Sequence, residues 1–374
     1  PLLLHYAPPG GVPSVRPADQ LRRAPKRDLK LIVIDPRKTE LAKRADLHLQ
    51  VRPGEDATLL SGMLKVILSE GLQDQDFCDQ NVSGLASLQA EVSGFDLADV
   101  AARTGVEDAL IIEAARLFAS GPKGTAITGT GPEMGAHPNL TQHLVSSLNI
   151  VCGRFYRAGD RLPNPGMLSP PSPKVAQVAD VAVAWGRGAR CRVRPDLGEL
   201  VTPGRLGPSR EMPTAQLADE ILTPGEGQVK ALFVIAGNPI MAWPDQEKAL
   251  AAMKDLELLV CIDPYISATA ELADYVLAPK LTLEREDVTL LSDAWYEKPY
   301  SQYSRAVIES EHDVIEEWEL YWAIADRMNL EINIGRSVIP NQPKPEKFDL
   351  LKAITNGSRV DLDWLRDNPG GHIF

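Results

Sequence analysis

Apolar and polar positions fall into two blocks in which strand-like and helix-like segments alternate. Residues 29–34, LKLIVI, form a short β-branched run without alternation, the pattern of a strand buried on both faces. Residues 51–56, VRPGED, read as a turn. Over 57–70, Leu59, Leu60, Met63, Leu64, Ile67 and Leu68 recur at helical spacing, and Gly71 ends the run. Thr104 and Glu107 have capping-box spacing ahead of a helix, DALIIEAARLFAS (108–120), which Gly121-Pro122 stops. GTAIT (124–128) reads as another strand, GTGPEMG (129–135) as a glycine turn, and 139–151 as a helix.

The second block starts at KALFVIAGNP (230–239), a strand followed by a turn. QEKALAAMKDL is a helix, ELLVCIDP a strand and ADYVLAP a further short strand. A last helix over 317–328 puts Trp318, Tyr321, Trp322, Ala325 and Met328 at core spacing. Residues 9–28 read as a surface connection with a short basic helix. Residues 159–228 are rich in Pro and Gly without periodicity, the pattern of a long irregular connection. Four segments are expected: a first dinucleotide-binding α/β domain (1–158), the connection (159–228), a second such domain (229–330) and a Pro-rich tail (331–374). The fold class is α/β: two pseudo-symmetric, doubly wound, Rossmann-like units with mostly parallel sheets.

The pseudo-symmetry comes from an internal repeat. LIVIDPRKTELAKRADLHLQ (31–50) and LLVCIDPYISATAELADYVLA (258–278) share Ile-Asp-Pro at 34–36 and 262–264, Ala-Asp at 45–46 and 273–274, and Leu49 with Leu277. The spacing from acid to acid is 11 in both (46 − 35 and 274 − 263). Two related units suit two nucleotide-like ligands, or one ligand with two such halves.

Composition narrows the chemistry. The 374 residues carry a net charge of −12, which argues against a general nucleic-acid partner because phosphate binding needs a basic face. No apolar run is long enough to span a bilayer. Cys78, Cys152, Cys191 and Cys261 form no CxxC pair, so they offer no local zinc or iron–sulfur motif and read as incidental thiols. The six histidines form no HxH or HExxH motif, and no P-loop or GxSxG is present. No catalytic residue and no metal ligand is assigned.

In open α/β sheets ligands lie beyond the carboxyl ends of the strands. Ile34 ends the first strand, and Asp35 follows it. Its carboxylate could accept paired hydrogen bonds from a ribose diol or a guanine edge. Arg37, after Pro36, could stack on a base or meet a phosphate. Asp56, beyond the Pro53-Gly54 turn, is a second acceptor. Both acids could equally be caps of a loop and a helix. Gly129 and Gly131 would let backbone N–H groups approach a ligand, although a simple turn explains them too. His137 is the one histidine placed near such a ligand. Gly237 and Asn238 occupy the corresponding turn of the second unit.

These residues resemble the signature of the molybdopterin-dependent oxidoreductases of the dimethyl sulfoxide reductase class, which includes formate dehydrogenases and nitrate reductases. The stretch LIVIDPRKTELAKRADLHLQVRPGEDATLL carries Asp35-Pro36-Arg37, Thr39, Ala45-Asp46 and Arg52-Pro53-Gly54-Glu55-Asp56, with Glu55 where the family usually has Thr. GTGPEMGAHPNLTQHLVSSLNIVCGRFYRAGD and the second repeat resemble later parts of the family pattern. The resemblance implies a molybdenum or tungsten cofactor with two pyranopterin guanine dinucleotides, bis(molybdopterin guanine dinucleotide). It implies Asp35, Arg37, Arg52, Gly54 and Asp56 at one guanosine end, and Gly129, Gly131 and Met134 toward its pyrophosphate and pterin. Gly237, Asn238, Asp263, Ser267 and Thr269 would serve the other dinucleotide.

By the same resemblance, the family's Cys-rich motif and the metal's protein ligand belong upstream of the Asp-Pro-Arg unit, and a cap domain belongs downstream. The chain is therefore expected to be a central fragment, inactive alone, of an enzyme carrying out two-electron redox chemistry. A 4Fe-4S cluster is expected in the full-length chain outside this stretch. Its partners would be the N- and C-terminal domains of the same polypeptide and an electron-transfer subunit. The alternative is a non-catalytic scaffold subunit of the same fold in an electron-transfer complex. A cytoplasmic location is expected, or a periplasmic one if a Tat leader is removed.

Overall fold

In the computed structural model the described residues are 2–3, 29–135, 137–160, 166–169, 189–190, 201–202, 214–290, 292–293, 299–334 and 337–374. The expected basic helix in 9–28 and most of the 159–228 connection lie outside them. The chain divides into two compact units, Pro1–Leu162 with Trp295–Glu297, and Pro163–Ala294 with Lys298–Phe374. Each is a mixture of helices with a three-stranded parallel sheet.

In the first unit the strand Lys30–Ile34 lies between Leu2–Leu3 and Leu47–Leu49, parallel to both. Its apolar run is buried at Leu31, Ile32 and Val33, as a doubly covered strand requires. The helix Asp56–Ser69 is the hub of this unit. Eleven of its fourteen residues are buried, so it is covered nearly all round rather than along one stripe. It packs against the helices Leu85–Ser93, Leu97–Thr104, Asp108–Ser120 and Pro138–Val151. Gly62 makes one of these approaches possible: a Cβ there would stand 2.9 Å from Val100 Cγ1.

Two expectations in this unit are corrected. Thr104 is not the N-cap of the 108–120 helix. It is the last residue of Leu97–Thr104, where its buried hydroxyl donates to Val100 O and accepts from Val106 N–H. Gly105, at φ +74°, ends that helix, and Glu107 starts the next without a side-chain cap bond. Residues 124–128 form no named strand. The Asn149 side chain takes the place of a strand neighbour, accepting from Ala126 N–H and donating to Ala126 O, both at 2.8 Å.

In the second unit the strands Ala231–Ile235, Leu258–Ile262 and Tyr275–Leu277 form the parallel sheet. Ile221, Val234, Met253, Leu259 and Cys261 make its core with helices Leu217–Leu222 and Gln246–Asp255. The helix Glu317–Met328 forms, but its expected core stripe does not: only Ala325 is buried, and Tyr321 and Met328 are exposed. Trp318 and Trp322 are half-buried instead, with the Lys344 ammonium 5.4 and 5.6 Å from their rings. The weakly patterned tail is folded. It holds a hairpin (Ile332–Ile334 with Ser337–Ile339), helices Lys347–Ile354 and Leu362–Asp367, and strand Gly370–Ile373, and the two helices build a separate core of Phe348, Leu351 and Leu365 with Tyr303. These elements are too short for their periodicity to show in the sequence. Among the described residues no helix is long and apolar enough to cross a membrane.

Candidate functional site

The repeat is reproduced bond by bond at a constant offset of 228 (263 − 35). At the carboxyl end of the central strand, Asp35 N–H donates to Leu49 O at 3.2 Å, and Asp263 N–H to Leu277 O at 3.2 Å. Each acid then folds its own turn. Asp35 Oδ1 accepts from Arg37 N–H at 2.7 Å, and Asp263 Oδ1 from Tyr265 N–H at 2.9 Å. The hydroxyls of Thr39 and Ser267 accept from Ala42 N–H and Ala270 N–H, both at 3.2 Å. A single 3₁₀ turn follows in each unit, Ala42–Arg44 and Ala270–Leu272.

At the other end of each strand, Asp46 and Asp274 act as clamps. Asp46 exchanges two bonds with Leu31, through its carboxylate (2.8 Å) and its N–H (2.9 Å). Asp274 does the same with Leu259, at 2.8 and 2.9 Å. The second acid of each copy is therefore structural. The first is only half committed. Among the described residues, Oδ2 of Asp35 and of Asp263 has no hydrogen-bond partner, so each site keeps one carboxylate oxygen at the strand end for a donor from outside.

Around Asp35 the structure gathers some of the expected residues and not others. Ile34 and Asp56 line one crevice with Ile127, Thr128 and Pro132, so the strand end, the helix start and the glycine turn do converge. Its volume of about 20 Å³ suits a water, not a nucleotide, so within this unit the strand end is open surface rather than a closed cavity. Gly54, at φ +90°, permits the Arg52–Glu55 turn, closed by Glu55 N–H to Arg52 O at 3.1 Å. Arg52 does not line the crevice. Its guanidinium caps the Leu97–Thr104 helix, donating to Ala102 O (2.7 Å) and Arg103 O (3.0 Å). It borders a different cleft, of about 730 Å³, with Glu55, Asp96 and Arg103. Arg37 is exposed.

The glycine turn is one short helix, Thr130–Glu133, with Gly129 as its N-cap residue. Gln142 ties it down by donating to Thr128 Oγ1 (2.5 Å) and Glu133 Oε1 (2.8 Å). A Cβ on Gly131 would meet nothing within 4 Å, and its φ is not positive. Neither backbone conformation nor this chain's packing demands glycine there. Met134 is 77% exposed, and His137, also exposed, precedes the Pro138–Val151 helix.

In the second unit Asn238 precedes the short helix Pro239–Ala242. Thr269 is completely buried beneath it and does not face solvent as a phosphate donor would. Its hydroxyl accepts from Ile240 N–H (3.2 Å) and must therefore give its proton to Asn238 Oδ1 (2.8 Å). That bond fixes the Asn238 amide with its NH₂ left as a donor. Ser267, the counterpart of Thr39, accepts from its own turn and keeps its hydroxyl proton to donate. Gly237 has an ordinary conformation; the left-handed residue of this turn is Ala236, at φ +50°. Nothing in the sequence marks Ala236, whereas the repeat offset of 228 by itself pairs Ser267 with Thr39 (267 − 228) and Arg37 with Tyr265 (37 + 228).

Among the described residues no group of three or more His, Cys, Asp or Glu could hold a metal ion. Cys78, Cys152 and Cys261 are buried free thiols, each pushed upward mainly by burial, Cys152 to about 12. They stay protonated and are poor nucleophiles.

A model of the molybdopterin oxidoreductase family matches residues 12–327. The chain is 29% identical over 329 residues to the acetylene hydratase of Syntrophotalea acetylenica, covering 84% of this chain and 44% of that protein. It is 25% identical over 320 residues to the alpha subunit of an F420-dependent formate dehydrogenase of Methanocaldococcus jannaschii (83% and 45%). It is 28% identical over 294 residues to the catalytic subunit of the assimilatory nitrate reductase of Bacillus subtilis (73% and 38%). The chain thus spans less than half the length of these relatives. Among solved structures, acetylene hydratase from Pelobacter acetylenicus superposes with a TM-score of 0.72 at 22% identity, covering all of this chain and 52% of that one. That likeness concerns the fold.

Proposed function

The chain belongs to the molybdopterin oxidoreductase family, and from that premise we propose that it is the cofactor-holding middle of a molybdenum or tungsten enzyme with one guanine dinucleotide per unit. The bound group would supply a metal centre for two-electron redox chemistry. This chain's part is to bind and orient it. Asp35 and Asp263 each offer one open carboxylate oxygen to guanine or ribose donors. Arg37 faces solvent beside the first acid, and Asp56 lines the crevice next to it. Half-buried Gly129 and exposed Gly131, Met134 and His137 form an edge where a phosphate and pterin could approach backbone N–H groups. Gly237 and Asn238 do the same in the second unit, with Thr269 holding Asn238 in place. Arg52, Gly54 and Ser267 shape turns and helix ends around these positions.

The observation that carries this reading is the pair of half-committed acids, built by the same bonds at one offset. Two relatives named as formate dehydrogenase and nitrate reductase support the two-electron chemistry. An electron-transfer subunit as partner and a 4Fe-4S cluster elsewhere in the full-length protein belong to the same proposal, as does a cytoplasmic location.

Metal analysis of the full-length protein, with chromatography of the nucleotide released on denaturation, tests it. The expected result is about one molybdenum or tungsten with about two guanine nucleotides per chain, one for each unit's acceptor. Metal-free and guanine-free protein would mean a scaffold instead. Asp35→Ala should lower the guanine content; unchanged content would remove that residue from the site.

A further inference from the structure

We propose that the two strand-end sites, equal in backbone, hold their ligand halves by different physics: charge in the first unit and aromatic contact in the second. This deepens the reading of one dinucleotide per unit and rests on it.

The shared backbone makes the comparison residue by residue. In 35–46 the first unit carries four cations (Arg37, Lys38, Lys43, Arg44) and three anions (Asp35, Glu40, Asp46), a net +1. The matching stretch 263–274 carries three anions (Asp263, Glu271, Asp274) and no cation, a net −3. Three of the first stretch's charges are paired off, Lys43 with Glu40 and Asp46 with Lys30. Arg37 and Lys38, immediately after the open acid, are exposed and have no ion pair among the described residues. Their counterparts are Tyr265 and Ile266, 77% and 66% exposed.

An exposed tyrosine two residues past an acceptor has the geometry of a platform. The turn that Asp263 closes fixes its backbone, and its ring, 77% exposed, makes no aromatic or cation–π contact among the described residues. A base whose edge meets Asp263 can lie against that ring, and stacking needs no counter-charge. A phosphate is favoured near Arg37 and Lys38 and disfavoured over the net-negative second stretch. The first site therefore selects for the anionic part of the ligand and weakens with salt. The second selects for the base and does not weaken as salt rises.

The test uses the full-length chain purified without cofactor and two probes, GDP and uncharged guanosine. In wild type one class of GDP sites should weaken as salt rises while the other does not, and guanosine should bind only the salt-insensitive class. Tyr265→Ala should weaken that class on the order of tenfold. Tyr265→Phe should leave it unchanged. Arg37→Gln should flatten the salt dependence of the other class. Tyr265 is exposed enough that its removal leaves the fold intact, which far-UV circular dichroism checks. If wild type binds neither probe, the guanine reading falls and this proposal with it. If it binds two GDP with one common salt dependence, or Tyr265→Ala binds as wild type, only this proposal is overturned.

Discussion

Replacing Thr269 by Val removes a hydroxyl without opening a cavity, because the two side chains have nearly the same volume. Thr269 is fully buried, so no water can take over its bonds. Ile240 N–H, in a residue 6% exposed, loses the acceptor it finds at 3.2 Å. Leaving such a donor unpaired costs about 1–3 kcal/mol, and losing the bond to Asn238 adds about 1 kcal/mol. The expected loss is therefore about 2–4 kcal/mol of stability in the second unit. Thr269→Ser keeps the hydroxyl and loses one methyl, costing about 1 kcal/mol. Urea unfolding followed by circular dichroism gives the comparison, with midpoints shifting at constant slope. A valine variant within about 0.5 kcal/mol of wild type, or a serine variant as unstable as valine, would refute the argument that this hydroxyl is a buried strut. The holoenzyme should also retain less cofactor in Thr269→Val, because Asn238 loses the bond that orients it.

Three further outcomes follow from single contacts. Asp274→Ala should cost about 1–2 kcal/mol, because Leu259 N–H loses a charged acceptor; an unchanged melting temperature would refute the clamp. Ala236→Gly should be neutral or raise stability by up to about 1 kcal/mol, since φ +50° strains an alanine and not a glycine, and a clear loss in calorimetry would contradict that account. Burial raises the Cys152 thiol to about 12 from its ordinary value near 9. The native state therefore resists ionisation that the unfolded chain accepts. Stability is fully present below pH 9 and falls between pH 9 and 12, by up to about 4 kcal/mol from this group. Cys152→Ala should fall less steeply over that window, and an identical slope would remove the thiol as a cause.

Much of the scaffold was legible in the chain. The run at 29–34, the stripe from Leu59 to Leu68 and the acid pair at spacing 11 each rely on local rules: an apolar strand, a helical period, an acid ending a strand. Such rules act over a few residues, so they can be read in order along the sequence. The repeat went further, since one offset predicts two like turns before any coordinate is known. Short elements escaped for the same reason. Residues 331–374 carry too few turns of helix or pairs of strand residues to show a period, yet Phe348, Leu351 and Leu365 find a common core.

What only tertiary structure decided is which side chains are spent and which are available. Asp35 and Asp46 look equally acidic in the sequence, but one keeps an open oxygen and the other is tied to Leu31 at both ends of its backbone exchange. The family resemblance puts Arg52 with Asp56 at one guanosine end, but the carbonyls of a helix about fifty residues away claim its guanidinium. Thr269 resembled a surface donor, and burial turned it into a strut for Asn238. Sequence determined the repeat and the kind of chemistry at each strand end, because covalent order and local propensity suffice for that. Availability depends on partners supplied from distant segments, and a hydrogen bond formed with one of them is a bond no longer offered to a ligand.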